Sequence, residues 1–116
     1  MDKVKFTYKE EIEISLKAIF LLQILFKLPD KTMNTSSKYD WMHHEYYTEF
    51  YGPTDEHKST NKAWNELRDT ELITSVDVGE DCYFQYKISK KAEALKSKIL
   101  RKNTKMYNNL IPKGFF

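Results

Sequence analysis

A mainly α-helical domain carrying one small β-hairpin is the fold class that the sequence predicts, and three observations predict it. The 116 residues hold only three Gly and three Pro, so breakers are scarce. Aromatic residues reach 15%, a large payload for one core and too little chain for two. Apolar positions recur at helical spacing over most of the chain and switch to alternation only near residues 73–88.

The first helical pattern covers residues 8–26. Ile12, Leu16, Ile19, Leu22 and Phe26 form one stripe, and Ile14, Ala18, Leu21 and Leu25 a second. A helix apolar on two faces over residues 12–26 needs cover on both, so a homodimer is expected with Leu21 and Leu25 at its interface. Pro29 cannot continue a helix and restricts the residue before it, which stops the element near Lys27.

Residues 31–37 form a polar link in which Ser36 or Ser37 can cap the next helix. That helix is predicted over residues 38–51, with Tyr39, Met42, Tyr46 and Phe50 on one face, and Gly52-Pro53 ends it. A third helix starts behind Thr54 or Ser59 and turns Ala63, Trp64, Leu67 and Leu72 inward. Its opposite face carries Lys58, Asn61, Lys62, Asn65 and Arg68.

After Glu71 the period becomes two. Residues 73–78 and 82–88 are runs of β-formers around the turn residues Gly79-Glu80-Asp81, the signature of a hairpin. Residues 89–102 return to helical spacing through Ala92, Leu95 and Ile99, with lysines opposite. Residues 103–116 have no period. The domain is therefore drawn over residues 1–102, with its first helix as the dimerisation element and 103–116 as a tail.

The stretch from Ser59 to Ile73, a Ser/Thr start followed by Ala63, Leu67 and the exit Leu72-Ile73, resembles the recognition helix of winged helix-turn-helix regulators. Ile88-Ser89-Lys90-Lys91-Ala92 is similar to the segment leaving the wing in MarR-like and PadR-like proteins. The resemblance covers roughly residues 38–100, and it implies a winged helix-turn-helix fold and a double-stranded DNA partner. The third helix would then enter a major groove, where Asn can pair with adenine and Lys or Arg can reach guanine or phosphate. Lys58, Asn61, Lys62, Asn65 and Arg68 suit that role, and Ser59 and Thr60 can bond phosphate.

Charge divides unevenly along the chain. Residues 1–86 hold ten Lys/Arg against sixteen Asp/Glu, a net −6, whereas residues 87–116 hold nine against Glu93 alone, a net +8. Lys90, Lys98 and Arg101, within the run that also holds Lys91, Lys96, Lys102 and Lys105, are the candidate phosphate contacts. Asp77, Glu80 and Asp81 around the hairpin turn would repel phosphate there.

Enzymatic chemistry has little to stand on. His44-Glu45-Tyr46-Tyr47-Thr48 begins like a zinc-protease motif but has Thr at the second ligand position, and Cys82 is the only cysteine, so no metal site is expected. Glycines at 52, 79 and 114 build no phosphate loop, and no cofactor or enzymatic activity is expected. The longest apolar run is five residues, so no membrane span is expected and the location predicted is the cytoplasm.

Two functions follow as expectations. The first is a homodimeric DNA-binding transcriptional regulator, or a plasmid or viral accessory DNA-binding factor. The alternative is a virus-encoded protein that binds and inhibits a host protein, for example a CRISPR effector. Trp41, Glu45, Tyr47, Glu49, Asp77, Glu80 and Asp81 would supply its acidic and aromatic contact surface.

Overall fold

The chain opens on a β-hairpin where the sequence predicts a helix. In the computed structural model, which describes residues 3–34, 55–77 and 84–110, β1 (Lys3–Tyr8) pairs antiparallel with β2 (Glu10–Ser15). The register sets Val4 against Ile14 and Phe6 against Ile12, and Lys5 against Glu13 on the other face. Phe6, Ile12 and Ile14 are buried and the charged face is exposed, the alternation a half-buried sheet requires. Lys9, at φ 60°, makes the tight link between the strands.

Helix α1 (Leu16–Lys27) begins at Ser15, whose hydroxyl accepts from the Ala18 N–H at 3.2 Å. It ends before Pro29, at Lys27, as the sequence predicts, and the Leu28 N–H closes the last turn on the Leu25 carbonyl. A 3-10 turn (Pro29–Lys31) then leads into β3 (Thr32–Asn34). Helix α2 (Asp55–Asp69) is followed by β4 (Ile73–Asp77) and β5 (Phe84–Ile88), which pair antiparallel with Ile73 opposite Ile88. β3 joins the other edge of β5, so this sheet has the order β3-β5-β4.

The predicted class, mainly α with one small hairpin on a winged helix-turn-helix plan, is corrected by these strands. Two antiparallel sheets stand beside the helices, so the described residues mix strand with helix instead of carrying one small hairpin. The physical reason lies at residues 12–16: Ile12, Ile14 and Leu16 fit a strand period, while Ile12, Leu16 and Ile19 fit a helix period. The hairpin wins because Val4, Phe6 and Tyr8 supply a facing strand whose apolar face meets that of β2.

The hairpin also answers what covers α1. Both of its apolar stripes are inside the subunit, packed by β2, α2, β5 and the last helix, and every residue from Lys17 to Leu22 is buried. Leu21 and Leu25 are 1% and 0% exposed, so their placement at a dimer interface is corrected: the chain itself covers them.

The predicted helix over residues 89–102 is two short helices, α3 (Lys90–Ala94) and α4 (Lys96–Leu100), with Leu95 between them at φ −102°, ψ 6°. Ser89 caps the first by accepting from the Ala92 N–H. The segment beyond does not leave the body at Asn103. Thr104 is buried, residues Lys105–Leu110 form a 3-10 helix, and the Tyr107 ring meets Phe20 with centroids 5.4 Å apart. The expected helix over residues 38–51 lies outside the described residues.

Candidate nucleic-acid interface

Helix α2 is positioned by its inner face. Ala63, Trp64 and Leu67 are buried, and the Trp64 indole stacks on Tyr86 of β5 at 4.7 Å between centroids and 14° between planes. The packing leaves Lys62 and Arg68 exposed and Asn65 half-buried. Arg68 donates to the Asn65 side-chain carbonyl, so the amide and the guanidinium form one surface unit. Lys58, Ser59, Thr60 and Asn61 lie on the first turns of the same helix, and their side chains are outside the described residues.

The exit of α2 is a Schellman motif. The Leu72 N–H bonds back to the Leu67 carbonyl at 3.0 Å and the Glu71 N–H to the Arg68 carbonyl at 3.1 Å, with Glu71 at φ 61°. Lys91 completes this end, its ammonium donating to the Thr70 carbonyl at 2.7 Å and lying 3.9 Å from Glu10. Tyr8, Lys9, Glu10, Glu71 and Lys91 line an open groove of about 400 Å³ there.

Glu66 fixes the flank of α2. Its Oε1 accepts from the Lys3 ammonium at 2.7 Å and from the Ser15 N–H at 3.1 Å, and its Oε2 accepts from the Ser15 hydroxyl at 2.6 Å. Burial pushes the Glu66 carboxyl up, but the Lys3 and Ser15 donors outweigh it and hold the group below the ordinary glutamate value. The hydrogen bond to Glu66 raises Lys3 in turn.

The basic region is presented by α3, α4 and the turn after them. Lys90, Lys96, Lys98, Arg101, Lys102 and Lys105 are exposed, and Lys96 lies over the Phe26 ring at 5.6 Å. Glu93, the region's single acid, is taken by the Lys31 ammonium. Among the described residues, Lys90, Lys98, Arg101, Lys102 and Lys105 form no ion pair.

This region is held to the core by Gln23. The Gln23 amide donates to the carbonyls of Ile99 and Lys102, both at 2.9 Å, while its carbonyl accepts from the Thr104 hydroxyl. Those bonds tie the end of α4 and the turn after it to the central helix, the Ile99 carbonyl also accepting the Lys102 N–H at 3.2 Å.

Of the sequence-predicted residues, Lys62, Asn65 and Arg68 share the outer side of α2, and Lys90, Lys98 and Arg101 are exposed on α3 and beyond. Trp41, Glu45, Tyr47, Glu49, Glu80 and Asp81 lie outside the described residues, as does the side chain of Asp77 on β4. Sequence reasoning missed Glu66, Ser15 and Gln23. Gln23 had a signal, a single polar residue interrupting Leu21-Leu22 and Ile24-Leu25. Glu66 had none, because an acid on the polar side of an amphipathic helix reads as solvated.

No family model, no curated protein and no solved structure matches the chain. No group of three or more His, Cys, Asp or Glu is placed to hold a metal among the described residues, and no described helix is long and apolar enough to cross a membrane.

Proposed function

We propose that the chain is a DNA-binding protein of the cytoplasm that engages double-stranded DNA without catalysing a reaction, as a transcriptional regulator or an accessory DNA-binding factor. The observation that carries the reading is the set of exposed cations Lys90, Lys98, Arg101, Lys102 and Lys105, none paired among the described residues, with Glu93 already occupied by Lys31. Such a surface gains by releasing counterions from a phosphate backbone. The Asn65–Arg68 unit and Lys62 on α2 supply groups able to read base edges.

Selection from a pool of random duplexes at low salt tests this. The reading expects the full chain to retain duplex and to enrich a sequence over successive rounds. Retention of no duplex at any salt concentration contradicts it, and specific capture of a protein instead of DNA moves the function to the protein-binding alternative.

A further inference from the structure

The reading helix of a DNA-binding protein must be fixed in rotation as well as in position, because a turn about its own axis moves every base-contacting side chain together. Apolar packing through Ala63, Trp64 and Leu67 holds α2 against the core but is non-directional. Glu66 is directional. It stands one residue after Asn65 and two before Arg68, and its two oxygens are gripped by three donors on two other strands. One of those donors, the Ser15 hydroxyl, also accepts the Ala18 N–H at the start of α1. A rotation of α2 therefore breaks charge-assisted bonds of defined geometry and disturbs the cap of the central helix.

We infer that Glu66 is a positioning residue for DNA readout, locking the rotation of α2 against the β1–β2 hairpin so that Asn65 and Arg68 present one fixed pattern. This rests on the DNA-binding reading and adds to it a division of labour. The cations after Ser89 supply affinity for any duplex, and the clasp on Glu66 supplies discrimination between duplexes.

The experiment has two arms on the full chain. In the free protein, residual dipolar couplings give the orientation of α2 relative to α1 and β5. E66A is expected to alter the α2 couplings while those of α1 and β5 stay unchanged, and E66Q, which keeps the accepting carbonyl, to restore them in part. Wild-type couplings in E66A overturn the inference, and E66Q alone carries the comparison if E66A does not fold. In the DNA arm, preference for the selected duplex over a random one is expected to fall about tenfold in E66A, with binding to the random duplex little changed. Undiminished preference also overturns it. A wild-type protein that retains no duplex contradicts the DNA-binding reading itself, whereas one that binds duplex without preference overturns the discrimination assigned to Glu66.

Discussion

Ser15 donates to Glu66 twice, from its backbone N–H at 3.1 Å and from its hydroxyl at 2.6 Å. One residue thereby ends β2, caps α1 and ties both to α2 through Glu66, 51 positions further along the chain. The bonds to the carboxylate are charge-assisted, so they weaken once the carboxyl is protonated.

The pH dependence has a definite sign. Because folding lowers the Glu66 value, the stabilisation is complete above the ordinary value of 4.5 and is lost as pH falls through the lower folded value. Thermal melts of wild type and E66Q are expected to differ by about 1–3 kcal/mol at neutral pH and to converge in acid. A constant gap across that range refutes the assignment.

Leu25→Ala tests the burial of α1. Truncating a side chain that is 0% exposed leaves a cavity and costs about 2–5 kcal/mol. Since the covering atoms belong to the same chain, the melting temperature of wild type and variant is expected to hold constant over a hundredfold dilution. A melting temperature that rises with concentration would return Leu25 to an interface between copies.

Glu71 occupies the position after α2 where glycine is favoured, at φ 61°. Glu71→Gly is expected to stabilise the fold by about 0.5–1 kcal/mol, as relief of the left-handed conformation exceeds the added freedom of the unfolded chain. Denaturant titration measures it, and a loss of stability would mean that the Glu71 side chain contributes more than its backbone costs.

Asn65→Ala and the pair Lys98→Ala with Arg101→Ala are expected to separate reading from affinity. Loss of the amide should cost about 1–3 kcal/mol on the preferred duplex and little on others. Loss of the cations should weaken all duplexes alike. Fluorescence anisotropy on both targets checks this, and equal loss of preference in both variants would show that α2 is not the reading element.

Much of this architecture was legible in the sequence, and the reasons for the rest are local. The stripe Ala63, Trp64 and Leu67, the alternation over residues 73–77 and 84–88 and the stop before Pro29 each depend on neighbours in sequence. The N-terminal hairpin was hidden because Ile12 and Leu16 satisfy two periods at once, and only the facing residues Val4 and Phe6 decide between them. The break at Leu95 and the docking of Tyr107 on Phe20 are long-range outcomes. The same holds for the candidate site. The exposed residues of α2 and the basic run were visible as composition and spacing, whereas Glu66 and Gln23 act through partners 51 and 76 positions away.

The most direct test of the DNA-binding claim is the salt dependence of duplex binding by the full chain, measured by anisotropy from low to physiological ionic strength. If Lys90, Lys98, Arg101, Lys102 and Lys105 each meet a phosphate, the logarithm of the binding constant falls with the logarithm of salt at a slope of about −4.5. The slope flattens by about 0.9 for each of these residues replaced by Ala. A protein that binds no duplex at low salt, or whose slope is unchanged when these residues are removed, contradicts the account.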